Sequence, residues 1–331
     1  MGAAEIVLLI AAIAVGFGIV SLLILSYILY SVLLVRTSKK KWQRGPSMPE
    51  VPEYKKLYDC GADWRLRNAS KKEDVSIRNG RFSLYGEYYD YGSDKAVIIL
   101  PGRMETCYYS AFFAEPYEKA GYNVLTIDPR AHGKSDGRYN SLGYKEWSDV
   151  IAWAKMLHEE KRIRMIVLHG VCIGSSAACF TLTNDLCPDY VAGMVGEGMY
   201  TCFNATFRTH LEHQGHRYFP IGNLAMMYLR IFGGANVVTD GPFKRLPLLK
   251  KPILMLHSRE DIYSLPEKAE KMYETIKAPK KLVWFATGGH SMIRIHNEEN
   301  RIRYDEAVRR FLSILENPGV EDKMKEWQCE E

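Results

Sequence analysis

Cys172 is the residue whose type and neighbours best suit covalent chemistry. It lies in Gly170-Val171-Cys172-Ile173-Gly174, after the apolar run Met165–His169 and before a run of small residues. Small residues two positions before and after a nucleophile allow a strand and a helix to pass closely at a sharp turn. The N-terminus of the following helix favours negative charge, as on a thiolate. The pattern predicts a nucleophilic cysteine between a strand and a helix.

Two other interpretations of this segment stay open. A free cysteine is usually a small buried apolar residue, and Cys172 could be one. Ser176 also satisfies a small-x-Ser-x-small pattern, from Gly174 to Ala178. Its position a turn inside the helix is not expected to bring the hydroxyl to the edge of the sheet, so Cys172 is the preferred nucleophile.

Short apolar runs alternate with helical patterns around this motif. A hairpin-like region is predicted at about 74–90, and further strands are predicted at Ala96–Leu100, Asn123–Ile127, Met165–His169, Val191–Val195, Ile253–His257 and Lys281–Phe285. Helices are predicted near 106–120, 144–159, 173–184, 264–277 and 301–315. This alternation indicates a mainly parallel sheet with helices on both faces and ligands at the carboxyl ends of its strands. The aromatic and Met-rich stretch 196–249 interrupts it and predicts a small cap.

The N-terminus carries a candidate membrane anchor. Residues 6–35 are uncharged and apolar. This run is longer than the roughly 20 residues that span hydrocarbon, so residues 1–36 are predicted to be a single transmembrane anchor. By the positive-inside rule, the basic residues that follow predict a cytoplasmic domain and an external N-terminus. These residues are Arg36, Lys39, Lys40, Lys41 and Arg44. A stalk that contains Pro46, Pro49 and Pro52 is predicted at 37–58. It is followed by a predicted folded domain at 59–318 and a polar tail at 319–331.

Charge and cysteine usage exclude several functions. The net charge of +5 equals that of the five basic residues after the apolar run, so the rest of the chain is neutral, which argues against nucleic-acid binding. Seven cysteines without CxxC spacing fit a reducing compartment and predict neither a disulfide framework nor a zinc site. His210, His213 and His216 lack a carboxylate or cysteine to complete a metal site, so a solvated face is expected. No cofactor is predicted.

A second motif supports a resemblance to a known family. The segment Asp128–Gly137 is similar to the D-x-R-G-H-G-x-S loop of the α/β-hydrolase superfamily. With the Cys172 turn in the right order, residues from about 75 to 315 resemble its serine-aminopeptidase-like and dienelactone-hydrolase-like branches. The resemblance implies an α/β-hydrolase fold, with a structural role for His132. Most members carry serine where this chain has Cys172, although dienelactone hydrolases resemble it in using cysteine.

The resemblance also implies an acid and a base after the nucleophile. It places the acid at Asp261 and the base at His290, each following a predicted strand. His290 would take the thiol proton and return it to the leaving group, while Asp261 would hold the histidine tautomer. Glu197, just past another strand, is the alternative acid, and His296 is a weaker candidate base.

Acyl transfer further needs backbone donors for an oxyanion. The first expected donor is the amide of Ile173, immediately after the nucleophile. By the resemblance, the second is the amide of Arg103 in the loop after Ala96–Leu100. The guanidinium of Arg103 is expected either to meet an anionic substrate or to be a solvated surface group.

Together these features predict acyl chemistry at a membrane. The expected reaction is hydrolysis, or transfer, of an acyl group from a small-molecule ester, thioester or lactone through a thioacyl-Cys172 intermediate. Peptide cleavage is less expected. The anchor suggests a lipid-derived substrate, with the bilayer as partner. Two alternatives remain: a catalytically silent binding or scaffold protein with a hydrolase fold, and a thiol sensor that uses Cys172 without a base.

Overall fold

Eight strands form one mixed sheet in the computed structural model, which describes residues 2–43, 45 and 50–329. The strands are β1 (Lys72–Asn79), β2 (Phe82–Tyr89), β3 (Lys95–Leu100), β4 (Asn123–Ile127), β5 (Met165–Val171), β6 (Val191–Glu197), β7 (Ile253–Ser258) and β8 (Lys280–Phe285). Their order in the sheet is β1-β2-β4-β3-β5-β6-β7-β8. The first two pairings are antiparallel, and the five that follow are parallel.

The sequence pattern located these strands well. All six predicted strands after the hairpin are present, and β4 has the predicted bounds. β5 and β6 each extend two residues beyond the prediction, to Val171 and Glu197. Strands β3 to β7 are almost entirely buried, which explains their continuous apolar runs rather than an alternating pattern. The carboxyl ends of the parallel strands therefore meet at one edge, where the candidate residues lie.

Helices cover both faces of the sheet, as predicted. In chain order they are α1 (Ala3–Leu34), α2 (Pro52–Arg67), α3 (Cys107–Ser110), α4 (Glu115–Lys119), α5 (Trp147–Glu159), α6 (Ile173–Leu182), α7 (Phe203–His213), α8 (Ile221–Tyr228), α9 (Pro242–Arg245), α10 (Pro266–Thr275), α11 (Ile293–His296), α12 (Glu298–Leu315) and α13 (Val320–Cys329). The predicted helix near 106–120 is two short helices, α3 and α4, joined by a 3-10 turn at Ala111–Phe113. Two apolar cores form, one on each face of the sheet.

The insertion between β6 and β7 is helical and forms the predicted cap. It contains α7, α8 and α9, and α8 continues directly into a π-helical turn at Leu229–Gly233. A third apolar cluster joins the cap to the last turns of α1 through Tyr30 and Leu34. Helix α1 therefore packs against the cap over its C-terminal part.

The folded domain is longer at both ends than the sequence indicated. The predicted stalk contains the start of α2, and Leu57 and Tyr58 of this helix belong to the main core. In the predicted polar tail, α13 buries Met324 and Trp327. Amphipathic spacing lets these otherwise polar segments cover the core. The stalk positions Arg44, Pro46 and Pro49 lie outside the described residues, as do the last two residues of the tail.

Candidate active site

Cys172 occupies a strained turn between β5 and α6. Its backbone has φ +53° and ψ −111°, outside the regions that an L-residue normally adopts. The flanking glycines have a steric reason: a Cβ on Gly170 would lie 2.4 Å from Ser175 N, and one on Gly174 would lie 2.0 Å from Leu100 O. The turn therefore requires glycine at both positions and holds the Cys172 side chain at the carboxyl edge of the sheet.

His290 and Asp261 meet beside this turn. Nδ1 of His290 lies 2.8 Å from Oδ2 of Asp261. The other oxygen, Oδ1 of Asp261, accepts hydrogen bonds from the amides of Tyr263 at 2.9 Å and Ser264 at 2.7 Å. The carboxylate is thus fixed on both sides, and Nε2 is the ring nitrogen of His290 that remains for Cys172.

The charges around His290 favour its protonated form. Burial alone would lower the pKa of His290, but the Asp261 carboxylate and then Cys172, each also through a hydrogen bond, raise that pKa well above its usual value. Burial alone would raise the pKa of Asp261, but the charge of His290 and its hydrogen bond hold it below the usual value. The acid therefore stays ionised and stabilises an imidazolium next to the thiol.

Glu197, the alternative acid, belongs to a different network. Its Oε2 accepts a hydrogen bond of 2.8 Å from the hydroxyl of Tyr304, which also lies 3.1 Å from Nε2 of His169. Burial raises the pKa of Glu197 to about 7. The acid that contacts His290 is thus Asp261, while Glu197 is a buried carboxyl beneath the site.

The two expected oxyanion donors lie on the segments that flank Cys172. Ile173 is the first residue of α6, where an amide has no acceptor within the helix. Arg103 follows Gly102, and a Cβ on Gly102 would lie 3.8 Å from Cys172 Cβ. Neither amide has an acceptor among the described residues. Both are therefore available to an oxygen bound beside Cys172.

His132 holds the loop that carries Arg103. Its Nε2 accepts a hydrogen bond of 3.1 Å from the amide of Met104, and its Nδ1 lies 2.8 Å from Arg130 O. Burial lowers the pKa of His132 to about 4, so the ring is neutral and can accept from Met104. Met104 itself has φ +68°, a left-handed conformation that this contact helps to maintain. The structural role predicted for His132 is thus to hold the loop that carries Arg103.

The segment after α1 packs on the same loop. The indole of Trp42 stacks on the His132 ring with centroids 4.8 Å apart. Nη1 of Arg103 donates a hydrogen bond of 3.1 Å to Leu33 O, in the last turn of α1. The guanidinium is therefore not a solvated surface group; it lines the cleft, and burial lowers its pKa while Cys172, Tyr54 and Glu105 oppose that shift.

A cleft of about 680 Å³, open at its mouth, lies over Cys172 and His290. The cap supplies Phe203, Phe207 and His210 from α7, and α2 supplies Tyr54. Tyr54 was not among the predicted site residues, because its segment was predicted to be part of the stalk. The expectation of a solvated face was wrong for His210, which packs on Tyr263 at 4.4 Å between ring centroids.

The remaining candidates lie apart from the cleft. Ser176 is buried inside α6, as expected for the less favoured register. His213, His216 and His296 are exposed. Among the described residues, no group of three or more His, Cys, Asp or Glu side chains is arranged to hold a metal ion.

The chain thus has an α/β-hydrolase fold, with a histidine and acid pair beside the residue at the sharp turn after β5. Residues 95–243 match a family model described as alpha/beta hydrolase fold. An uncharacterized protein of Bacillus subtilis is 26% identical over 228 residues, which cover 68% of this chain and 73% of the relative.

Solved structures agree with this fold. An esterase of Pyrococcus furiosus superimposes with a TM-score of 0.61 at 26% identity, covering 74% of this chain and 93% of the esterase. An acylaminoacyl peptidase of Pyrococcus horikoshii gives a TM-score of 0.54 at 16% identity, covering 76% of this chain and 44% of the peptidase. The esterase neighbours support hydrolase activity.

Proposed function

We propose that this chain is a membrane-anchored hydrolase that cleaves an ester, thioester or lactone through a thioacyl intermediate on Cys172. The observation that carries the proposal is the arrangement of Cys172, His290 and Asp261, with 2.8 Å between His290 Nδ1 and Asp261 Oδ2. The raised pKa of His290 supports its role as the base that takes the thiol proton. Ordinary peptides are a less suitable substrate than these activated carbonyl compounds.

The chemistry proceeds in two steps. Nε2 of His290 takes the proton of Cys172, and the sulfur attacks the carbonyl carbon while the amides of Ile173 and Arg103 donate to the oxyanion. Collapse breaks the bond to the leaving group, which departs with the proton from His290. A water molecule then loses a proton to His290 and attacks the thioester. The bond between carbon and sulfur breaks, the acid is released, and His290 returns its proton to the sulfur of Cys172.

The anchor belongs to the same proposal. Helix α1 is long and apolar enough to cross a bilayer, with a mean hydropathy of 2.9 over its best window. Its residues Ser26, Tyr30 and Leu34 are buried against the folded domain. This packing favours a retained anchor over a cleaved signal sequence. The basic residues after α1 favour a cytoplasmic domain and an external N-terminus.

The decisive test uses the full chain in detergent micelles. Iodoacetamide labelling and turnover of p-nitrophenyl esters and acyl thioesters would be compared for wild type, Cys172→Ala, His290→Ala and Cys60→Ala. Cys60 is the matched control, because it is a half-buried cysteine of α2 away from the cleft. We expect loss of turnover with the first two variants only.

The other outcomes identify the alternatives. Turnover that survives Cys172→Ala contradicts the thioacyl mechanism. Labelling that depends on Cys172 but not on His290, without turnover of any substrate, indicates a thiol sensor. Binding of acyl compounds in the cleft without turnover or acylation indicates a scaffold or binding protein.

A further inference from the structure

The outer surface of the cap carries an apolar patch beside α1, which we call the cap face and define as Met227, Ile231 and Phe232. These side chains are 40%, 61% and 43% exposed, respectively. Met227 and Ile231 are four residues apart on the continuous helix of α8 and the π turn, so they project from about the same side. The inner side of the cap lines the cleft instead, through α7.

The cap face is continuous with the membrane helix. Tyr228 donates its hydroxyl to Leu23 O of α1 at 3.1 Å, and its ring meets that of Tyr27 edge-on at 5.4 Å between centroids. Phe232 stacks on Tyr30 at 6.0 Å. Aromatic clusters of this kind concentrate at the boundary between hydrocarbon and headgroups.

The length of α1 fixes the depth of this contact. A span needs about 20 residues for about 30 Å of hydrocarbon. Keeping the charge of Glu5 outside the hydrocarbon makes the span begin at Ile6 or later, so it ends at Leu25 or later. Tilt only moves that end further along the helix. For a span of about 20 residues, Leu23, whose carbonyl bonds the cap, therefore lies about 3 Å or more inside the hydrocarbon edge.

We infer that the cap face is immersed in the membrane leaflet nearest the domain and contacts lipid acyl chains there. Exposed charges fit this partner: Arg230 adjoins Ile231 in the chain, and Lys39 and Lys40 follow the end of α1. Cations near a membrane surface attract anionic headgroups. The inference rests on the membrane anchoring in the proposed function. It adds a second membrane contact, which places the cap, and hence the mouth of the cleft, at the lipid surface.

Photocrosslinking in lipid vesicles tests the inference independently of catalysis. The full chain would carry a benzophenone side chain in place of Ile231, Phe17 or Leu186, in vesicles of phosphatidylcholine and phosphatidylglycerol. Phe17 is exposed on α1, and Leu186 is an equally exposed apolar residue after α6, at the opposite, amino edge of the sheet. We expect lipid adducts at positions 17 and 231 and none at 186.

Each other result overturns the inference in a recognisable way. Lipid adducts at 17 but none at 231 mean that the cap face does not contact lipid. Crosslinks between two copies of the chain at 231 mean that a second copy covers it. An absence of lipid adducts at 17 as well means that α1 does not anchor the chain, which is a failure of the proposed function. Melting temperatures equal to that of the unsubstituted chain exclude misfolding as the cause of missing adducts. Position 227 serves as a second labelling site on the cap face.

Discussion

Asp261→Asn should abolish most of the activity because it forces the wrong tautomer on His290. Oδ1 of Asp261 already accepts two backbone hydrogen bonds, from Tyr263 and Ser264. An asparagine must keep its oxygen there, since its amide nitrogen cannot accept from those donors. The amide nitrogen then faces Nδ1 of His290 and donates to it. The ring proton is thereby placed on Nε2, which can no longer take the proton of Cys172.

The magnitude follows from this change of tautomer and from the lost charge. A hydrogen bond to a charged group is worth about 1.5–3 kcal/mol, or roughly 10- to 150-fold in rate. A wrong tautomer at an equivalent position lowers kcat by about 10⁴ in the serine protease template, so a loss of about 10³–10⁴ is expected here. The raised pKa of His290 should also fall, because the Asp261 charge is a main reason for it.

Glu197→Gln is the matched control, since it removes the other carboxylate that the sequence offered. Glutamine keeps the size of the side chain and a hydrogen-bond partner for Tyr304. Because Glu197 makes no hydrogen bond to His290, kcat should change by less than about threefold. The assay is kcat and KM for a soluble p-nitrophenyl ester over pH 5 to 9, with thermal melts for both variants. If Glu197→Gln loses more activity than Asp261→Asn, the assignment of the acid is wrong.

Three further outcomes are expected. His132→Ala leaves the amide of Met104 without its acceptor and should lower kcat about 10- to 100-fold at little change in KM; an unchanged kcat refutes the positioning role. The pKa of Glu197 rises from 4.5 to about 7, so the folded chain holds a proton that the unfolded chain releases. The free energy of unfolding should therefore fall by up to about 3 kcal/mol as pH rises from about 4.5 to above 7, and pH-dependent melts of Glu197→Gln should lack that fall. Gly174→Ala, with its Cβ 2.0 Å from Leu100 O, should prevent folding, as measured by soluble yield and circular dichroism.

The strands and the cysteine turn were predictable because local pattern determines them. Buried parallel strands are continuous apolar runs, and Gly170 is required by Ser175 N a few residues away. Gly174 is required by Leu100 O on the neighbouring strand β3, but the glycine itself is visible in the local motif. Asp261 and His290 could be paired from the sequence only through the order of acid and base in the resembling family, because they are 29 positions apart. The sheet brings Nδ1 of His290 to 2.8 Å from Oδ2 of Asp261.

The contribution of α2 was missed for a physical reason. Prolines and charges around Pro52 made the segment look extended, and Lys55 and Asp59 are indeed exposed. The buried residues Leu57, Tyr58, Gly61 and Trp64 follow the three- and four-residue spacing of a helix, which was visible in the sequence. Helix periodicity outweighed composition here. It also brings Tyr54 to the cleft.

The packing of α1 against the folded domain had no such signal in the sequence. Hydropathy cannot separate residues that face lipid from those that face the cap, since both are apolar. Lys41 donates to the carbonyls of Ser31, Val32 and Val35 at the end of α1, while Arg103 donates to that of Leu33.

Helix α1 is therefore joined by hydrogen bonds to Lys41 and to the loop that carries Arg103. A domain cut at residue 59 would lose Trp42 from His132, the Leu33 acceptor from Arg103, and Tyr54 from the cleft. Low activity of such a fragment would report the loss of these contacts rather than the chemistry of Cys172. Activity measured on the full chain is consequently the valid reference for every variant of this site.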